Sequence, residues 1–219
     1  FLRRTSLDIA GRLPTLEETD KYLNSDNPNK RSECIDSLLS TTDYAEFFAN
    51  KWSSILRNKR KANTYTRGTQ AFHEWIRQSF HINKPYNQFV AELVTARGEI
   101  SHNPATAWFR NVTDQKERLQ DTAQVLLGVR LQCAECHHHP YEKWSQQDYY
   151  GFSAFFSRIG KKKTDMPGEE AVFHNVGLAT AKNPKTGQNV KPTLLGGDEL
   201  DILAEDDPRD DLASWITDE

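Results

Sequence analysis

The sequence predicts a mainly α fold: a single multi-helix domain with a small irregular or β element after residue 160. Three observations predict it. Apolar residues recur at three- and four-residue steps through most of the first 160 positions, as a buried helical stripe does. Helix-capping pairs and terminal glycines punctuate those stretches. After residue 160, glycine, proline and turn residues replace the periodicity.

The elements follow in order. Thr15 with Glu18 makes a capping box that opens a short helix to about Asn24, and a second helix runs from about Lys30 to Leu39. Asp43 and Glu46 introduce a segment in which Tyr44, Phe47, Phe48, Trp52, Ile55 and Leu56 form one stripe. The basic stretch from Arg57 to Thr69, with Lys59, Arg60, Lys61 and Arg67, reads as a loop with a solvated surface. Phe72, Trp75, Ile76 and Phe80 mark the next helix. Pro85 starts another, which Gly98 ends. A loop passes Asn103 and Pro104. A helix from about Lys116 to Gln132 then delivers the chain to Cys133, and Ser145 with Asp148 caps a helix that Gly160 stops. Short apolar runs at Val172–Val176 and Val190–Leu195 suggest a small hairpin, with turn residues at Asn183–Gly187. Asp207 and Pro208 open a last helix.

Composition bounds the function. Apolar residues are only 37% of the 219, but 5 Trp, 7 Tyr and 11 Phe supply enough area for a core. No apolar run approaches the ~18 residues of a membrane helix. The net charge of −3 is too balanced for nucleic-acid binding by bulk charge. It divides unevenly: residues 198–219 carry −9 and the rest +6. Three segments result: a helical 1–160, a loop or β extension at 161–197, and an acidic 198–219 that reads as the start of a following domain. The first residue is Phe1 and no signal peptide is visible, as in a piece cut from a longer chain.

Chemistry concentrates at Cys133-Ala134-Glu135-Cys136-His137, the C-x-x-C-H pattern of covalent c-type haem attachment. Two thiols about one turn apart can each add to one vinyl group of the porphyrin, and the next residue offers an imidazole to the iron. The cofactor expected is haem c, held by Cys133 and Cys136, with His137 as proximal ligand. Met166, His174 and His139 are candidates for a further ligand, among 6 histidines outside the motif and a single methionine. The alternative cofactor is Zn²⁺, on a C-x₂-C-x₂-H knuckle of Cys133, Cys136 and His139. A thioredoxin-like dithiol normally follows a strand, and here a helix is expected before it. Cys34, on the apolar face of its helix, reads as a buried small hydrophobe.

The run from Leu126 to Pro140, with Trp144, Asp148-Tyr149-Tyr150-Gly151 and Ala154-Phe155-Phe156, resembles the signature of the planctomycete cytochrome-c-like domain family. Arg3-Arg4, Leu7-Asp8, Gly11-Arg12-Leu13-Pro14-Thr15 and Asn83-Lys84-Pro85-Tyr86 match it too, so the likeness covers about residues 1–160. Arg209, Leu212, Ala213 and Trp215 are similar to the opening of its usual partner domain. The resemblance implies a large extracytoplasmic protein, periplasmic or otherwise exported, often with a separate haem-motif domain. The expected partner is therefore a redox protein or a neighbouring haem domain. His139, Pro140 and Trp144 belong to the family pattern, which keeps a ligand or supporting role open for His139.

Overall fold

The computed structural model describes residues 1–60, 66–166 and 169–218. The fold is mainly α: ten α-helices and two small two-stranded sheets among the described residues. The chain groups into two compact units, 1–57 with 73–84 and 58–72 with 85–219.

The first unit holds α1 (Leu2–Ala10), α2 (Leu16–Leu23), α3 (Lys30–Leu39), α4 (Thr42–Ile55) and the part of α5 (Thr66–His81) from His73 onward. The capping box at the start of α2 forms as the sequence predicts, with Thr15 Oγ1 accepting from the Glu18 amide. The expected stripe on α4 is only partly the core. Ala45 and Ala49 are fully buried beside Leu56, while Ile55 is exposed. Tyr44, Phe48 and Trp52 gather around Phe80 at centroid distances of 6.0, 5.6 and 6.2 Å. The alanines take the innermost line because a small side chain admits close helix approach, which leaves the rings to seal its flank.

Sequence periodicity missed α1, a short helix with Leu2, Ser6 and Ala10 at four-residue steps. Gly11 ends it at φ 69°, and a Cβ there would run into the Phe47 ring. Gly11→Ala therefore combines left-handed strain with a clash. It should cost this unit about 2 kcal/mol or more, read as a lower denaturation midpoint.

The second unit holds the first turns of α5, α6 (Tyr86–Val94), α7 (Ala107–Asn111), α8 (Gln115–Leu126), α9 (Gln146–Ala154), both sheets and α10 (Pro208–Ile216). Phe72, Leu93, Trp108, Phe109, Leu119, Tyr149, Phe152, Phe155 and Phe156 are its largest buried apolar groups. The helix expected to open a following domain, α10, packs on α6 within this unit.

Three expectations change here. The basic loop ends earlier than Thr69, because α5 begins at Thr66; of that loop, residues 61–65, Lys61 among them, lie outside the described residues. The helix from Lys116 stops at Leu126 instead of Gln132. Gly128 turns left-handed at φ 69° and the Val129 amide reaches back to the Ala123 carbonyl, a glycine termination that the leucine pattern masks. The hairpin pairs differently as well. β1 (Ile159–Lys163) runs antiparallel to β2 (Glu170–His174), with Ile159 opposite His174. β3 (Ala181–Lys182) pairs with β4 (Asn189–Val190) around the expected Asn183–Gly187 turn.

Candidate haem-attachment motif

Beyond Gly128 the chain drops into a 3₁₀ turn at Gln132–Glu135. Cys133 lies within that turn and Cys136 caps it, the Cys136 amide donating to the Cys133 carbonyl at 3.4 Å. Both thiols are exposed and free of disulfide bonding. Ala134 between them is fully buried and anchors the turn.

Glu135, the remaining residue of the motif, ties the turn to its surroundings. Its carboxylate accepts from Lys116 on α8 and from the Tyr149 hydroxyl on α9 at 3.3 Å, and its carbonyl accepts from Gln146 Nε2 at 2.7 Å. Burial, followed by the Glu135 charge, pushes the Tyr149 hydroxyl well above the usual phenol range, so it stays a donor at neutral pH. Tyr150 is raised by the same two causes. Sequence reasoning passed over Glu135, Lys116, Gln146 and Tyr149 as a frame. Their signal was weak, since contacts between α8, α9 and the turn are long-range.

His137 and His139 differ in state. His137 is exposed, and its Nδ1 lies 2.7 Å from the His138 carbonyl. A carbonyl only accepts, so Nδ1 carries the proton and Nε2 the lone pair. His139 is reversed. Its Nδ1 accepts from the Glu142 amide at 3.1 Å and the Tyr141 amide at 3.4 Å, while its own amide donates to the Trp144 carbonyl at 2.9 Å. His139 thus organises the loop that leads into α9. Ser145 and Asp148 close the capping box there, as expected from sequence.

The other candidates sit elsewhere. Met166 lines a cavity with Ile100 and Glu169, and none of residues 133–139 lines it. His174 ends β2 with Nδ1 3.9 Å from Asp207 Oδ1. Cys34 is half-buried beside a cavity of the first unit, its thiol raised by burial and then by Glu18. Among the described residues, no group of three or more His, Cys, Asp and Glu is arranged to hold a metal ion. For the knuckle of Cys133, Cys136 and His139, the His139 lone pair is already engaged by backbone amides. The donor set fits haem better: two free, exposed thiols three residues apart, then an imidazole with an open Nε2.

A family model matches residues 1–161: PSCyt2, described as a protein of unknown function (DUF1549). The chain belongs to the PSCyt2 family. The match takes in the C-x-x-C-H segment, His139 and the α9 capping box, and stops before Met166, His174 and α10. No curated protein and no solved structure matches the chain. No described helix is long and apolar enough to cross a membrane.

Proposed function

We propose that this PSCyt2 chain is a c-type haem domain that passes electrons within a larger extracytoplasmic protein. One observation carries the reading: two free, exposed thiols lie three residues apart at a short turn, and the following imidazole has its Nε2 lone pair open. Cys133 and Cys136 would hold the group by thioether bonds, each S–H adding across a vinyl C=C with its proton going to the neighbouring carbon, and His137 would ligate the iron. The addition is redox-neutral, so no oxidant is consumed. The bound haem supplies a one-electron couple at the iron.

The chain's own residues prepare that site. The His138 carbonyl fixes the His137 ring through Nδ1, which sets the tautomer and raises the basicity of Nε2. Glu135, held by Lys116, Tyr149 and Gln146, keeps the turn in place. Met166 lines a separate cavity, His174 sits beside Asp207 and the His139 Nδ1 lone pair is taken by backbone amides, so none of them is assigned as a further ligand. Thioether attachment takes place outside the cytoplasm, which makes an exported protein, periplasmic in a bacterium, part of the same proposal. Its electron partner is a redox protein or an adjoining haem domain.

The test is a reduced-minus-oxidised visible spectrum of the chain exported together with haem-maturation machinery. Sharp reduced bands are expected, lost in the Cys133→Ala/Cys136→Ala double variant. A colourless, folded product would overturn the reading. Stoichiometric zinc in that product, lost with Cys133→Ala, would establish the knuckle instead.

A further inference from the structure

Two stretches of the second unit, separate in sequence, bring three aliphatic residues together on its surface. The Gly177 amide donates to the Ala204 carbonyl at 2.8 Å, which sets residues 176–178 against 203–204. Val176, Leu178 and Leu203, the immediate neighbours of that bond, are 72%, 70% and 62% exposed. Single exposed leucines are ordinary on a protein surface, but three such residues on two abutting stretches form an apolar patch. The loop that carries two of them is firmly held. Arg158 donates through Nε to the Asn175 carbonyl at 2.9 Å and through Nη2 to the Val176 carbonyl at 2.6 Å. Gly177 sits at φ 144°, where a side chain is disfavoured, and a Cβ there would run into the Arg158 guanidinium. A loop bonded in this way presents its apolar side chains with little left to order on binding.

The border of the patch is acidic. Glu205 and Asp206 follow Ala204 directly, and both are exposed. Asp206 also acts further along the chain: burial raises the Asp211 carboxyl, and the Asp210 and Asp206 charges raise it more. Arg158 contributes one positive charge, bonded to the loop carbonyls, and the −9 of residues 198–219 outweighs it. This combination of apolar residues and carboxylates disfavours two occupants. In a two-fold contact with a second copy the patch would meet itself, with Glu205 and Asp206 facing like charges. An anionic lipid surface is repelled for the same reason. A protein segment that carries both aliphatic and basic side chains satisfies both features.

We infer that this patch docks a cationic protein segment, with aliphatic side chains against Val176, Leu178 and Leu203 and lysine or arginine beside Glu205 and Asp206. The surface stands apart from the haem proposal, because none of its residues belongs to the motif.

The experiment is an amide-resonance NMR titration of the full chain with the peptide Lys-Leu-Lys-Leu-Lys, run beside Lys-Ser-Lys-Ser-Lys and Glu-Leu-Glu-Leu-Glu. The first peptide should give saturable shifts at Gly177, Leu178 and Leu203, with each control binding at least about tenfold more weakly. Leu178→Ser/Leu203→Ser should weaken the first peptide about tenfold. Glu205→Gln/Asp206→Asn should weaken it about fivefold and flatten its dependence on salt. These positions are exposed, so neither double variant should move the thermal midpoint. The inference is overturned by the absence of a saturable response, by equal binding of either control peptide, or by unchanged binding in either variant. It is also overturned by a dimer, or by adsorption to phosphatidylcholine vesicles, that Leu178→Ser/Leu203→Ser abolishes, since the patch would then belong to a second copy or to lipid.

Discussion

Arg209→Ala is expected to remove about 3–5 kcal/mol from the stability of the second unit. The Arg209 side chain is fully buried in α10. It forms a bidentate pair with Asp207, Nη2 to Oδ2 at 2.6 Å and Nε to Oδ1 at 3.0 Å, and donates through Nη1 to the Ala96 carbonyl at 2.9 Å. Its guanidinium also lies over the Phe109 ring, 5.2 Å from the centroid. Removing it leaves Asp207, 3% exposed at its side chain, as a buried charge without its main partner. Arg97 and His174 reach Asp207 only at 3.9 Å. A small offset comes from Arg118, whose guanidinium is lowered to about 10 by burial first and by Arg209 second. The readout is hydrogen exchange of the α6 and α10 amides, which should accelerate together. Arg209→Ala/Asp207→Asn should recover part of the loss, because the residual charge goes with it.

The same pair sets a pH dependence. Burial pushes the Asp207 carboxyl up, but its hydrogen bonds and charge attraction to Arg209 outweigh that and hold it below the ordinary value. A depressed carboxyl contributes stability that is fully present above its unfolded value of about 3.9 and is lost as pH falls through the folded one. Wild type should therefore lose more stability than Asp207→Asn when titrated from about pH 5 into the acid range.

Phe152→Ala should cost about 3–5 kcal/mol, the usual range for emptying a buried phenylalanine site. Phe152 is fully buried on α9 and meets Phe155, Phe156 and Trp215 edge-on at 5.9, 6.2 and 6.4 Å. At roughly 2–4 °C per kcal/mol for a chain of this size, the thermal midpoint should fall by about 10 °C. α9 also carries Gln146 and Tyr149, which hold the thiol turn through Glu135, so the loss should extend to that turn. A cysteine-labelling rate at Cys133 that rises in Phe152→Ala would register it. Phe152→Leu keeps much of the volume and should be milder on both counts.

What was legible in the sequence was local. Helices with a cap and an apolar stripe, such as α2 and α9, appear where their own residues place them. α1 went unread because its buried face is Ser6 and Ala10, which carry little hydrophobic signal. The end of α8 was overrun because Leu126, Leu127 and Leu131 continue an apolar pattern past Gly128. Strand pairing depends on distant partners. Thus β2 only overlaps the expected Val172–Val176 run, and its mate is the lysine-rich Ile159–Lys163. At the site, the C-x-x-C-H spacing alone proposes the two thiols and His137. The Glu135 frame and the opposite tautomers of His137 and His139 required backbone positions that no spacing encodes.

The most direct test of the central claim is the intact mass of the exported chain, measured under denaturing conditions after co-expression with haem-maturation machinery. The account predicts a mass increased by one haem, reduced to the bare polypeptide when Cys133 and Cys136 are both replaced by alanine. An unmodified mass for the wild-type chain under those conditions would contradict it.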